Sequence, residues 1–263
     1  MANEHGDFIW YELMTTDADA AQEFYGGLVG WAFDHSTSDG LDYRLFKKDG
    51  PEIGGLMPLT PEMQENGARP LWAGYISVED VDKSAQAIEA SGGDILMAPR
   101  DIPGVGRLSM VTDPTGAPFY IMRDSSEKSS ESFAHAEPRE GHCAWNELVS
   151  ESPEVAKSFY GDLFGWVVAE SMDMGKMGLY EMWKNGGERE FFFGAVMKKP
   201  DQMPVSLWSF YFRVPDIDEA LNYVTDKGGQ VVNGPMQIPG GEFVLQGLDP
   251  QGAMFSIIGK RDS

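Results

Sequence analysis

The stretch FIWYELMTTDADAAQEFYGGLVGWAF, Phe8–Phe33, decides the fold of this chain because the sequence contains it twice. The second copy is CAWNELVSESPEVAKSFYGDLFGWVV, Cys143–Val168, and it lies 135 residues further along. Between Trp10 and Trp31, ten of the 22 positions are identical in the two copies. A period this long is typical of a duplicated domain, because the repeats of solenoids are only about 20 to 50 residues long.

Two later phrases repeat in the same order. LWAGYISVEDVD at Leu71–Asp82 returns as LWSFYFRVPDID at Leu207–Asp218. DPTGAPFYIM at Asp113–Met122 returns as DPQGAMFSII at Asp249–Ile258. The duplication therefore extends over nearly the whole chain.

A polar segment separates the two copies. Residues 124–141 are rich in Ser and Glu and show no hydrophobic periodicity, which is typical of an interdomain linker. The sequence thus predicts one domain over residues 1–123 and a second over residues 142–263.

Composition restricts the partners. The 263 residues carry 42 acidic and 20 basic side chains, a formal net charge of −22. Nucleic acids and anionic membranes need a basic surface, so neither is expected to bind. The single cysteine, Cys143, favours a reducing compartment. With no leader at the start and no apolar run near the roughly 20 residues of a membrane span, we predict a cytoplasmic protein. We expect it to be a monomer or a homodimer.

The repeated stretch predicts a strand, a helix and then three strands. Phe8–Met14 alternates, so Trp10, Glu12 and Met14 share one face. Asp17 is a typical N-cap for the helix that follows. Three short strand patterns come next, at Trp31–Phe33, Tyr43–Lys47 and Ile53–Met57. The pattern recurs four times, so the fold class is α+β, built from four tandem βαβββ units.

These features resemble the vicinal oxygen chelate superfamily, which includes glyoxalases, bleomycin resistance proteins and extradiol dioxygenases. The phrases that carry the resemblance are D…A..FY…LGW, V.D.D, a Gly-Gly pair before a strand, and DP.G before the last strand. The resemblance implies that the units pair into two half-barrel glyoxalase-like domains, each around a cleft. The phrase W.EL…FY..LFGW looks most like that of bacterial two-domain glyoxalase-like proteins.

The resemblance also implies where a divalent metal would bind. Metal-using members hold the ion with His, Gln or Glu from the first strand of each unit and Glu from a final strand. Counting from the shared phrases, six positions of this chain correspond, and they hold Trp10, Ala73, Tyr120, Trp145, Ser209 and Ser256. None is a usual ligand. We therefore expect no metal or other cofactor, although a divalent metal remains open at a site that these phrases do not locate.

Glu12 and Glu147 are the candidate catalytic residues, since each lies two positions beyond a lost ligand position and on the same face of its strand. Such a carboxylate could be a general base or a ligand anchor. It could equally be structural, bonded to neighbouring donors. With few basic residues nearby, we expect at least one of the two to be mostly buried and held by neutral donors.

Aromatic and methionine side chains are the candidate substrate-binding residues, with ordinary core packing as the alternative. In the first half they are Trp10, Tyr43, Met57, Trp72, Tyr75, Met110 and Tyr120, and in the second Trp145, Tyr180, Met197, Trp208 and Tyr211. Gln246 and Ser256 stand where the first half has Met110 and Tyr120, so the two clefts should differ. Cys143 is expected to be a buried, inert thiol.

Three functions remain open. The first is a glyoxalase/bleomycin-resistance-like protein that binds a small, partly apolar molecule in a metal-free cleft. The second is a lyase, isomerase or dioxygenase-type enzyme that uses Glu12 or Glu147, or a metal site that the phrases do not reveal. The third is a non-catalytic interaction or signalling protein. The fold alone does not decide among them.

Overall fold

The computed structural model describes residues 3–36, 42–126, 128–186 and 189–261. The strands of the first half are β1 Phe8–Thr15, β2 Ala32–Ser36, β3 Tyr43–Lys47, β4 Glu52–Pro58, β5 Leu71–Ser77, β6 Ile95–Ile102, β7 Gly106–Thr112 and β8 Pro118–Asp124. Those of the second half are β9 Cys143–Ser150, β10 Trp166–Asp173, β11 Leu179–Asn185, β12 Gly194–Lys198, β13 Leu207–Asp216, β14 Gln230–Gln237, β15 Phe243–Leu248 and β16 Met254–Lys260. The α-helices are α1 Ala18–Leu28, α2 Pro61–Glu65, α3 Val81–Ala90, α4 Pro153–Phe164 and α5 Ile217–Asp226.

The strands form two eight-stranded sheets with the same topology. The first has the order β2-β3-β4-β1-β5-β8-β7-β6, and the second β10-β11-β12-β9-β13-β16-β15-β14. Each sheet takes all its strands from one half of the sequence. Strand β1 runs parallel to β4, and β5 runs parallel to β8, as expected for strands joined by a long crossover, which here consists of a helix and two strands. The predicted α+β fold of four βαβββ units is confirmed.

The chain also divides into two compact units. Unit I comprises Met1–Ile9, Gly74–Ser130 and Asn146–Trp208. Unit II comprises Trp10–Ala73, Glu131–Trp145 and Ser209–Ser263. Each compact unit therefore combines one βαβββ module from each half of the sequence, whereas each sheet stays within one half.

The helix starts follow the sequence signals. Asp17 Oδ1 accepts the backbone N–H of Ala20 at 3.0 Å, and Asp80 Oδ1 accepts that of Lys83 at 3.1 Å. Helix α4 begins with Pro153, and it ends at Gly165, whose φ of 72° places it in the left-handed region. None of the helices within the described residues combines the length and apolar character that a membrane crossing requires.

The repeated FY and DP.G phrases meet in the core of each unit. In unit II the Tyr25 hydroxyl accepts Trp72 Nε1–H at 3.1 Å and donates to Asp249 Oδ2 at 2.9 Å. Tyr25 and Asp249 come from opposite halves of the sequence. The buried hydroxyl joins a helix, a strand and a turn.

Unit I contains the matching network. The Tyr160 hydroxyl accepts Trp208 Nε1–H at 2.9 Å and donates to Asp113 Oδ2 at 3.4 Å. The two networks together explain why the tyrosine, the tryptophan and the aspartate of these phrases all occur twice.

Trp72 and Trp208 were expected to line a ligand pocket, with ordinary core packing as the alternative. Both are buried in these aromatic cores, where Trp72 also packs against Phe212. The reason is strand alternation, because residue 72 lies on the opposite face of β5 from residues 73 and 75.

Candidate functional site

Glu12 lies in a small aromatic group of unit II. Its side chain is 2% exposed, and its register partner on β4 is Gly55. The Tyr43 ring lies over Gly55, so that a Cβ atom there would collide with the Tyr43 hydroxyl. Trp10 Nε1–H donates to this hydroxyl at 3.0 Å. Gly55 thus makes room for a Tyr–Trp pair beside the register position of the buried carboxylate. On the same strands Met57 is half-buried and pairs with Met14.

Glu147 lies in the corresponding group of unit I. It is 5% exposed, and its Oε2 accepts the Tyr180 hydroxyl at 2.8 Å. Met197 pairs with Tyr180 in the strand register, and Met172 continues the same row on β10. The expected burial of a carboxylate held by a neutral donor is confirmed here. Met172 was not anticipated, because its edge strand carries no alternating pattern.

The charged residues next to the site tyrosines point to the helices. Arg44 binds Asp42 at 2.7 Å and Gln22 of α1 at 3.1 Å. Glu181, which occupies the equivalent position, binds Lys157 of α4 at 2.7 Å. The two halves therefore use ion pairs of reversed sign on the helix-facing side, and neither pair lies on the face of the candidate carboxylate.

A row of two buried tyrosines and two half-buried methionines crosses four strands of unit I. Tyr75, Tyr120, Met110 and Met97 are successive register partners on β5, β8, β7 and β6. The rings of Tyr75 and Tyr120 are stacked, with centroids 4.2 Å apart and planes at 16°. Both methionines are half-buried. We call these four residues the tyrosine–methionine row. Met97 was missed by the sequence reasoning because it too lies on an edge strand.

The equivalent row of unit II is polar. It consists of Tyr211, Ser256, Gln246 and Asn233 on β13, β16, β15 and β14. Gln246 Nε2 donates to the Tyr211 hydroxyl at 2.9 Å, and Asn233 Nδ2 donates to Gln246 Oε1 at 3.2 Å. These polar groups satisfy one another, in contrast to the thioethers and stacked rings of unit I. Trp145 packs nearby, against the Tyr211, Val244 and Ile258 cluster.

The six positions at which the resemblance implies metal ligands hold side chains that do not suit a metal ion. Ser209 and Ser256 hydrogen-bond each other at 2.6 Å, and both are buried. Tyr120 stacks on Tyr75, Ala73 has no donor atom, and the Trp10 indole nitrogen donates a hydrogen bond. Within the described ranges, no group of three or more His, Cys, Asp or Glu side chains could hold a metal ion. The donor set at these positions is therefore unsuited to a divalent cation.

Cys143 is fully buried, and burial raises the pKa of its thiol to about 12. The thiolate is the reactive form of cysteine, so this side chain is inert at neutral pH, as expected.

Comparison with known proteins identifies the family to which both halves of the sequence are similar. Residues 8–121 and 139–257 match the model of the glyoxalase/bleomycin resistance protein/dioxygenase superfamily. A Mycobacterium tuberculosis protein provisionally named glyoxylase CFP32 is 33% identical over 252 residues, covering 95% of this chain and 93% of that protein. The anthracycline biosynthesis protein DauV of Streptomyces sp. strain C5 is 29% identical, covering 97% of this chain and 93% of its own length.

The solved structures show the same fold. The Mn(II)-bound glyoxalase of Novosphingobium aromaticivorans superposes with a TM-score of 0.63 at 18% identity, over 98% of this chain and 83% of that one. The matched model spans both sequence halves, and the sheets repeat the βαβββ arrangement. This chain belongs to the glyoxalase/bleomycin resistance protein/dioxygenase superfamily.

Proposed function

We propose that this protein binds a small, partly apolar aromatic molecule without a metal ion, and that the tyrosine–methionine row holds the ring. The observation that carries the proposal is the row itself. Two stacked tyrosines and two half-buried methionines lie side by side on four adjacent strands. Tyrosine rings favour stacking with a flat ligand, and methionine side chains adapt to its edges.

The contrast between the two rows supports one such site per chain. In the polar row of unit II, Gln246 is bonded to both Tyr211 and Asn233. An apolar ring placed there would displace hydrogen bonds that it could not replace. The row of unit I carries the thioethers of Met110 and Met97 in the places of these two amides, so a ligand that is mostly hydrocarbon should prefer it.

The relatives suggest which compound to test. The relative DauV is named for anthracycline biosynthesis. An anthracycline presents a flat ring system, which suits a surface of stacked tyrosines. It is therefore the first ligand to test, and naphthol is a smaller ring that lacks its other substituents.

The metal-free part of the proposal rests on the donor set. Four of the six family positions hold Trp, Ala or Tyr, and the two serines bond each other. Affinity in the proposed site comes from ring stacking and apolar contact, which need no cation.

A second candidate function is acid–base catalysis by Glu147. Its carboxylate is buried and accepts the Tyr180 hydroxyl at 2.8 Å. A buried carboxylate aligned by a phenol could hold or move a proton at a bound substrate. Glu12 is the equivalent residue of unit II, next to the Trp10–Tyr43 pair in the strand register.

The test is a fluorescence titration with daunorubicin and with naphthol. The variants Met110→Gln and Tyr120→Ser give the row the residues of its polar counterpart. We expect at least about tenfold weaker binding in each, which is about 1.4 kcal/mol. The matched control is Tyr211→Phe, in the polar row, which should bind as the wild type does. Circular dichroism checks that each variant is folded.

Equal affinity in the wild type and in both row variants would overturn the proposed site. For the catalytic alternative, Glu147→Gln keeps the shape of the side chain and removes its charge. Unchanged binding together with loss of any turnover of the bound compound would favour catalysis over simple binding.

A further inference from the structure

A groove between two helices of unit I is the vacant counterpart of a groove that a tyrosine fills in unit II. The groove in unit I has a volume of about 260 Å³ and lies between α3 and α4. Its lining residues are Lys83, Ser84, Ala87, Ile88, Asp162 and Leu163, together with Phe164. These residues are distinct from both rows and from the candidate carboxylates.

The filled counterpart lies between α1 and α5 of unit II. There the Tyr223 ring lies over Gly27, and a Cβ atom at Gly27 would collide with the Tyr223 hydroxyl. The ring packs 6.1 Å from the ring of Phe24, and the hydroxyl donates to the carbonyl oxygen of Glu23 at 3.3 Å. A tyrosine side chain thus closes the space between these helices.

Two differences in sequence leave the groove of unit I open. Helices α1 and α4 correspond at an offset of 135, so Asp162 stands in the place of Gly27. Helices α3 and α5 correspond at an offset of 136, so Ala87 stands in the place of Tyr223. The floor stays apolar, since Ile88 corresponds to Val224 and Leu163 to Leu28. Unit I therefore lacks the ring, and the Cβ atom of Asp162 takes part of the space in which the hydroxyl end of the ring lies in unit II.

The groove is suited in size and charge to one class of ligand. An apolar cavity of about 150 Å³ is enough to hold benzene. Asp162 brings a carboxylate close to the point where the Tyr223 hydroxyl lies in unit II, and this carboxylate is exposed. It can accept a hydrogen bond from a hydroxyl group on the ring. The Lys83 ammonium group at the rim is paired with Asp80 at 2.8 Å.

We propose that the α3–α4 groove is a binding site for a small phenol, whose ring lies beside Ala87 and whose hydroxyl donates to Asp162. The ring packs on Ala87 and Leu163, which are both half-buried lining residues of the groove. The apolar contact supplies the affinity, and the carboxylate distinguishes a phenol from a plain hydrocarbon ring.

The test uses p-cresol as the probe and the full-length chain as the protein. Methyl resonances of Ile88 and Leu163 are followed by NMR during the titration. We expect saturable shifts of these methyl groups at concentrations up to about 10 mM, and a weaker response to toluene, which lacks the hydroxyl. The variant Ala87→Phe fills the groove and should weaken p-cresol binding at least about tenfold.

The matched control is Gln86→Phe, which adds the same ring one position away on the exposed side of α3 and should leave binding unchanged. Asp162→Asn keeps the size of the side chain and should remove the preference for p-cresol over toluene. Tyr223→Ala should open a second groove, with new p-cresol shifts at Leu28 and Val224.

Three results would overturn this site. The first is an absence of saturable shifts at Ile88 and Leu163. The second is equal p-cresol affinity in the wild type and in a folded Ala87→Phe variant. Shifts confined to Tyr75, Tyr120 and Met110 would also overturn it, while agreeing with the separate site proposed for the tyrosine–methionine row.

Discussion

At the residue scale, the two buried tyrosine hydroxyls depend on their hydrogen-bond partners, because no solvent reaches them. Tyr25 accepts a hydrogen bond from Trp72 and donates one to Asp249, and all three side chains are buried. A buried polar group that loses its partner costs about 1–3 kcal/mol. These hydroxyls therefore bear on the stability of each unit more than the exposed polar groups do.

Tyr25→Phe removes the hydroxyl and leaves both partners without it. We expect a loss of about 1–3 kcal/mol in the free energy of unfolding, measured by urea denaturation. The matched control is Tyr223→Phe, whose hydroxyl is only partly buried and makes one hydrogen bond at 3.3 Å. It should lose less than about 0.5 kcal/mol. Equal losses in the two variants would contradict the importance assigned to the buried network.

The buried aspartates make a prediction about pH. Burial raises the pKa of Asp249 and that of Asp113, despite the hydrogen bonds that lower them. A carboxyl whose pKa is higher in the folded than in the unfolded state binds protons more readily when folded. Its contribution to stability therefore grows as pH falls through the raised folded pKa, and is complete below the unfolded pKa of about 3.9.

Asp249→Asn removes this titration. We expect the wild type to gain stability relative to Asp249→Asn as the pH is lowered from about 7 to about 4. Urea midpoints of both proteins at each pH measure the difference. A stability of the wild type relative to Asp249→Asn that stays constant, or that falls toward acid, would show that the pKa of Asp249 is not raised.

The sequence predicts these residues in part. The FY, DP.G and LW phrases identify the tyrosines, aspartates and tryptophans as repeated, yet each tyrosine bonds an aspartate from the opposite half, and spacing alone does not pair them. Tyr75, Tyr120 and Met110 were anticipated as site residues, but Met97 and Asn233 were not. The neighbours of a residue on an edge strand depend on the register of that strand. Bulges shift this register between Met97 and Arg100 and between Asn233 and Met236.

At the element scale, the starts of the helices are the features that the sequence predicts best. Asp17 begins a helix where the sequence predicts it, and Asp80 and the Ser152–Pro153 pair are the same kind of signal at the starts of α3 and α4. Strands β10 and β14 were harder, since most of their residues are exposed and no alternation marks them. The backbone of Gly6 and Asp7 bonds that of Ser77, a pairing that no sequence pattern marks.

The caps give a matched pair of substitutions. The Asp17 side chain accepts a backbone N–H of α1, whereas the Ser152 side chain makes no such bond at the start of α4. Asp17→Ala should cost about 1 kcal/mol of unfolding free energy, and Ser152→Ala less than about 0.5 kcal/mol. Thermal melts of the two variants measure this contrast. A larger loss in Ser152→Ala would contradict the assignment of the caps.

At the scale of the whole molecule, the compact units join modules from opposite halves. Tyr160 of the second half meets Asp113 of the first half in unit I, and Tyr25 meets Asp249 in unit II. Residues in direct contact couple by about 0.5–3 kcal/mol in double-mutant cycles, whereas residues without shared partners are additive within about 0.5 kcal/mol.

We therefore expect Tyr160→Phe and Asp113→Asn to couple, although 47 positions separate them. Tyr160→Phe and Asp249→Asn should be additive, even though both lie in the second half of the sequence. Urea denaturation of the single and double variants gives both cycles. Coupling of Tyr160 to Asp249, with additivity toward Asp113, would contradict the composition of the compact units.

The central claim is that an aromatic ligand binds without a metal ion, and one measurement tests it most directly. Naphthol, whose single hydroxyl cannot chelate a metal, is titrated into the protein by calorimetry with and without a strong chelator. The account predicts the same affinity in both titrations, because stacking on Tyr75 and Tyr120 and contact with Met110 require no cation. Binding that weakens at least about tenfold in the chelator would contradict it.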